Sequence, residues 1–242
     1  MPEGPSIVIL REEAAKFRRQ TVRKVSGNSS IDLERMQGRR VVSLRSWGKH
    51  FLVEFSGFSL RVHLLMFGTY HIDEPKPKPP RLALEFDNGT LYFYTASLKY
   101  VEGPLDDSYD WRADVMSPDW DPALARRKLR RQPDTLACDA LLDQDVFAGV
   151  GNIIKNEVLF RIGVHPESPI GALPPRTLTR LVAQAREYSF DFLEWKKRYV
   201  LRQHWLVHRK RDCPTCGAKL AKAKLGMRER WAYFCVRCQQ LY

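Results

Sequence analysis

The sequence predicts an α+β protein in three parts: an N-terminal β-sandwich with a flanking helix, a helical domain, and a C-terminal four-cysteine zinc finger. Three observations carry that prediction. From Thr21 to about Tyr100 apolar residues alternate with period two, the signature of half-buried strands. From Asp121 to about residue 203 they recur at helical spacing instead. Four of the five cysteines then form two C-x-x-C pairs, Cys213/Cys216 and Cys235/Cys238. These shifts divide the chain into a domain over 1–104, a connection over 105–120, a helical domain over 121–207 and a finger over 208–242.

Ile7, Leu10, Ala14 and Phe17 share one helical stripe, which predicts an amphipathic helix over 7–19. Its start lies beside Glu3, so it would hold the chain end in one place. Short strands are expected at Val41/Ser43, His50 to Phe55, Leu60/Val62/Leu64 and Leu82/Leu84/Phe86. Asp87-Asn88-Gly89 is a turn signal that predicts a hairpin. The proline-rich run from Glu74 to Pro80 cannot join a ladder and is expected as a loop. Gly103-Pro104 and Ser117-Pro118 mark the connection. Asp121-Pro122 then predicts a helix start, with Asp as cap and Pro at the first position. The last long helix starts near Pro174-Pro175 and carries Leu178, Leu181, Val182, Ala185, Tyr188 and Phe192 on one stripe.

The balance of 40 Lys+Arg against 28 Asp+Glu gives a net charge of +12 and favours a polyanionic partner, nucleic acid first. No apolar run approaches the ~20 residues that cross a bilayer, and the charged start lacks a secretory core. A membrane partner is therefore not expected. Paired C-x-x-C knuckles fit a reducing, intracellular compartment and a metal better than disulfides. Cys138 lies in an apolar-periodic segment and reads as a small buried hydrophobe.

Three stretches could carry chemistry. Removal of Met1 would leave Pro2 with a free secondary amine, able to attack a sugar aldehyde carbon and form an iminium, with Glu3 beside it to shuttle protons. The four thiolates match a tetrahedral structural zinc site, iron or a redox dithiol being the alternatives, with Gly217 permitting the turn after the first knuckle. Four ligands leave no open position, so this metal would position the basic finger, with its Lys222, Lys224, Arg228 and Arg230, rather than catalyse. Finally, Gly149 and Gly151 flank a tight turn before a helix starting near Asn152, whose N-terminus suits a phosphate, with Lys155 one turn in. The same segment also reads as an ordinary helix–turn–helix packing unit.

The pattern D-Q-x-x-x-A-G-x-G-N-x-x-x-x-E from Asp143 to Glu157 resembles the helix–two-turns–helix motif of the formamidopyrimidine-DNA glycosylase/endonuclease VIII family. That family also begins M-P-E-x-P and ends in a four-cysteine finger, and this sequence supplies all three motifs in order. The resemblance implies an N-terminal β-sandwich, a helix–two-turns–helix DNA-binding domain and a zinc finger, with DNA between them. It implies a bifunctional DNA glycosylase/AP lyase that excises oxidised bases and cuts by β,δ-elimination. Pro2 would attack C1′ and Glu3 would donate protons. Lys49 would bind a phosphate near the lesion. Asn152 and Arg230 would grip the phosphates flanking a flipped nucleotide, and Leu65, Met66 and Phe67 would fill the gap it leaves. Damaged DNA is the expected partner of a monomer located with the nucleoid, or in the nucleus of a eukaryote.

Met1-Pro2-Glu3-Gly4-Pro5 and Tyr94-Thr95-Ala96-Ser97 resemble the endonuclease VIII branch, which acts on oxidised pyrimidines, and no Gly-Gly-Thr-Thr-like loop precedes Cys213. Three positions depart from the family pattern. Ser6 stands where a second glutamate is usual, which keeps a non-cleaving relative that binds damaged or branched DNA as the alternative. Leu65 and Met66 make the wedge wholly apolar. The finger is longer, so Arg228 competes with Arg230, which stands five before Cys235 as the family arginine does.

Overall fold

The computed structural model describes residues 2–242. The chain divides into two compact units, the first ending at Asp110 and the second spanning Trp111–Tyr242.

The first unit opens with helix α1 (Gly4–Glu13), followed by a 3-10 turn at Ala14–Phe17. The helix starts three residues earlier than its apolar stripe suggested. Glu3 takes the N-cap position in extended conformation, and Pro5 occupies the first turn, where a missing N–H costs nothing. The stripe itself behaves as expected, with Ile7, Leu10, Ala14 and Phe17 wholly buried.

Six strands follow: β1 (Lys24–Ser26), β2 (Ser43–Trp47), β3 (His50–Glu54), β4 (Phe58–Ile72), β5 (Leu82–Phe86) and β6 (Gly89–Glu102). They form one antiparallel sheet in the order β1-β5-β6-β4-β3-β2. β5 and β6 close as a tight hairpin on Asp87-Asn88, with Phe86 opposite Gly89. The proline-rich segment lies outside the strands. α1 packs on β2 and β3, and the core gathers the helix stripe with Phe51, Val53, Leu60, Val62, Leu84 and Phe93. A short helix, α2 (Leu105–Ser108), ends the unit.

The second unit holds α3 (Pro122–Arg130), α4 (Ala137–Ala140), α5 (Asn152–Arg161), α6 (Pro175–Lys197) and the hairpin β7 (Ala221–Leu225)/β8 (Arg230–Phe234). Asp121 caps α3 as its sequence foretold, its side chain accepting from Ala123 N at 2.8 Å and Leu124 N at 2.9 Å. The predicted stripe of α6 is buried along its whole length, and Cys138 joins the same core at 1% exposure. α5 packs between α6 and β8, so helices and finger share one unit.

Candidate nucleic-acid interface and metal cluster

In the first unit the chain end is held by the start of α1. Pro2 is half-buried, and Glu3 is fully buried, its carbonyl accepting from Ser6 N at 2.8 Å. Ser6, in place of the glutamate, is itself buried. Because α1 lies on β2 and β3, its packing reaches the strands joined by the Trp47-Gly48-Lys49-His50 turn. Gly48 takes φ of +53°, a left-handed value that a side chain resists. Lys49 is half-buried on this turn.

Beside it sits a group the sequence did not single out. His50 faces His63 across the β3–β4 ladder, with ring centroids 5.5 Å apart. Trp47 and Tyr109 pack against His50 at 5.6 and 5.9 Å. Burial, reinforced by the positive charges of Arg61, His63 and Lys49, pushes His50 down to about 3. Burial, then Lys49 and Arg61, also lowers His63. His50 is therefore neutral at pH 7, and the fixed positive charge of this patch rests on Lys49 and Arg61. A lone histidine inside a strand pattern carries no signal of such a role; only the register brings the pair together.

The wedge expected at Leu65, Met66 and Phe67 lies inside the long strand β4, where the ladder to β6 breaks between Leu64 and Thr69. Opposite the break Thr95 adopts φ of +54°, and a Cβ on Gly68 would meet the Thr95 carbonyl at 2.7 Å. Extra residues unpaired in a ladder are pushed out of the sheet. Leu65, Met66 and Phe67 are accordingly 42%, 50% and 80% exposed, an unusual state for three consecutive large apolar side chains.

In the second unit α5 begins at Asn152 as anticipated, after Gly149 at φ of +99° and the cap Gly151. Gln144 fixes the preceding turn, donating to the Leu142 and Val150 carbonyls and accepting from Gly149 N. The Asn152 side-chain oxygen is buried without a hydrogen-bond partner among the described residues. Lys155 departs from expectation. It is only 1% exposed, and its ammonium donates to the Trp231 carbonyl at 3.2 Å. That bond ties α5 to β8.

Two carboxylates complete the frame of the finger. Glu157, wholly buried, accepts from the backbone N–H groups of Leu206, Val207 and His208 at 2.9, 3.0 and 2.8 Å. The motif contained this residue, but its partners lie about fifty positions away and leave no local trace. Asp139 accepts from Met227 N at 2.8 Å, and a Cβ on Gly226 would strike its carboxylate at 2.3 Å. The turn between β7 and β8 is thereby held close to α4. Arg228 is exposed on that turn, and Arg230 is half-buried at the start of β8.

The four cysteines converge, with their Sγ atoms all within 4.8 Å of one another and two pairs at 3.8 and 3.5 Å. Thiolates around a tetrahedral ion with bonds near 2.3 Å would stand ~3.8 Å apart. The cluster can hold a metal ion, and its donor set and spacing suit zinc. No helix among the described residues is long and apolar enough to cross a membrane.

The formamidopyrimidine-DNA glycosylase N-terminal domain model matches residues 1–99, and the formamidopyrimidine-DNA glycosylase H2TH domain model matches residues 113–194. Endonuclease 8-like 3 from Xenopus laevis is 29% identical over 91% of this chain and 38% of its own length. The chain thus spans under two-fifths of the length of the vertebrate relatives of that name. DNA-(apurinic or apyrimidinic site) lyase Nei2 from Mycolicibacterium smegmatis is 30% identical, covering 99% of both chains. A structure of Lactococcus lactis formamidopyrimidine-DNA glycosylase, bound non-covalently to DNA containing an AP site, superposes with a TM-score of 0.86 at 24% identity, covering 98% of this chain and 99% of that one. That likeness speaks for the fold. With both domain models in order along the chain and a full-length relative at this identity, the chain belongs to the formamidopyrimidine-DNA glycosylase/endonuclease VIII family.

Proposed function

We propose that this chain is a bifunctional DNA glycosylase and AP lyase acting on oxidised bases, pyrimidines in particular. The observation that carries the reading is the start of α1: a half-buried Pro2 and a buried Glu3, on a helix packed against the strands whose turn bears Lys49. With Met1 removed, the Pro2 nitrogen attacks C1′ and the bond from C1′ to the base breaks. Glu3 supplies the proton that lets the sugar ring open. The resulting iminium acidifies the C2′ proton; its loss expels the 3′ phosphate, and a second elimination expels the 5′ phosphate. Lys49 holds a phosphate beside the reacting sugar.

Leu65, Met66 and Phe67 take the space of the extruded nucleotide, their exposure favouring that role over a core one. Asn152, with its unpaired oxygen and its place at a helix start, and Arg230 on the finger grip the flanking phosphates. Zinc at Cys213, Cys216, Cys235 and Cys238 supplies no chemistry to the lesion when bound and keeps the finger folded.

Borohydride reduction in the presence of abasic-site DNA tests this. The Met1-processed protein is expected to give a covalent adduct that peptide mapping assigns to Pro2, and lesion-containing strands are expected to be cut. Tight, salt-sensitive binding with neither adduct nor cut strand would overturn the enzymatic reading and favour the non-cleaving relative that Ser6 keeps in view.

A further inference from the structure

We infer that Trp231, flanked by Lys222 and Lys224, forms a stacking platform on the finger that takes an unpaired DNA base, so that the protein engages a single-stranded extension beside a lesion duplex. This rests on the DNA-binding reading above.

Neighbouring residues of a strand point to opposite faces. On β8, Ala232 and Phe234 turn inward at 0% and 7% exposure, while Trp231 stands on the other face with 43% of its surface open. Lys224 is its direct partner across the hairpin, and Lys222 lies two residues farther along the same face of β7. Their ammonium groups come within 5.8 and 4.4 Å of the indole centroid. From Lys219 to Arg230 the finger carries five basic residues and a single acidic one, Glu229, so a phosphate chain would meet little repulsion.

The platform is also fixed before any ligand arrives. The Trp231 carbonyl accepts from Lys155 Nζ and, at 3.4 Å, from Asn156 Nδ2, and Tyr233 N donates to Asn156 Oδ1 at 3.3 Å. Pinning the strand to α5 fixes the backbone that carries the indole and so lowers the ordering cost of binding. An exposed indole with cations beside it offers a base a π surface and its phosphates a counter-charge, the combination found where single strands are held. Duplex DNA keeps its base faces stacked inside, so the occupant is an unpaired nucleotide. The plainer alternative is that two lysine stems merely cover an exposed ring. That arrangement would contribute a cross-strand pair to hairpin stability and nothing to binding.

The two are separated with zinc-loaded protein, an abasic-site duplex with blunt ends, and the same duplex carrying a short oligothymidine extension. Affinity and cutting are read on both. The wild type is expected to bind the extended duplex more tightly. Trp231→Ala should remove that advantage, a loss of about 5- to 150-fold for one base stack, and leave cutting of the blunt duplex unchanged. Trp231→Phe should keep most of it. No advantage in a wild type that cuts the blunt duplex would overturn the platform alone, as would an advantage that survives Trp231→Ala with zinc retained. A wild type that cuts neither duplex would overturn the enzymatic function itself.

Discussion

Two exposed segments carry residues proposed to meet DNA, and they are held in opposite ways. The β4 bulge presents Leu65, Met66 and Phe67 on a break in a ladder, with a glycine at its close-packed end. The tip of the β7–β8 hairpin is restrained from several sides. Asp139 binds its turn, Lys155 and Asn156 bind its strand, Glu157 binds the approach to it, and the four cysteines close its base. The first segment is apolar and has little folded-state packing to lose; the second is cationic and pinned by hydrogen bonds. A wedge must enter a base stack and change partners as it does so, whereas a phosphate grip gains from being fixed beforehand.

Predictions that would break or sharpen this contrast run from large to small. Removing a ligand of the cluster should have the largest effect. Cys216→Ser is expected to disorder the finger and abolish measurable DNA binding, with proteolysis near Cys213 reporting the disorder. Affinity that survives both this variant and metal chelation would show that the finger is no clamp.

Glu157→Gln comes next. A buried carboxylate that accepts three backbone N–H groups is replaced by an amide that must turn a donor toward them. Denaturant unfolding of the second unit should report a loss of roughly 2–4 kcal/mol. A change within ~0.5 kcal/mol, the usual range for an inert surface site, would mean that the approach to the finger is held elsewhere.

Phe67→Ala should separate function from stability. At 80% exposure the ring contributes little to the fold, so the thermal midpoint should stay within about a degree or two of the wild type. Base excision from duplex DNA should fall about tenfold, the equivalent of ~1.4 kcal/mol in the barrier. If the midpoint falls and excision holds, the bulge is structural.

The smallest effect belongs to a single phosphate contact. Arg230→Ala should weaken binding across all sequences and reduce the slope of log affinity against log salt by about one. An unchanged slope, with Arg228→Ala producing the change instead, would move the grip to the turn itself.

The match of sequence to structure follows the range over which each signal acts. Asp121 capping α3, the hairpin on Asp87-Asn88 and the stripe of α6 depend on residues within a turn or two, and all were legible. The helix–two-turns–helix pattern and the paired cysteines were legible for the same reason, since each motif is short and self-contained. The burial of Lys155 was not legible, because a lysine one turn into a helix looks solvent-facing until a strand some seventy-five residues downstream covers it. The bulge at Leu65, Met66 and Phe67 was not legible, because a four-residue break in pairing depends on the partner strand, with Thr95 in a left-handed conformation, and not on β4 itself.

The sequence by itself determined the expectation of a polyanionic partner, the set of thiols that cluster and the identity of the proposed nucleophile, because charge, thiol spacing and a secondary amine are properties of the residues. Only the tertiary structure decided which cations face solvent, that His50 stands neutral beside Lys49, and that Asp139 and Glu157 anchor the finger. Burial and long-range hydrogen bonds belong to pairs of distant segments, and no local window contains both members.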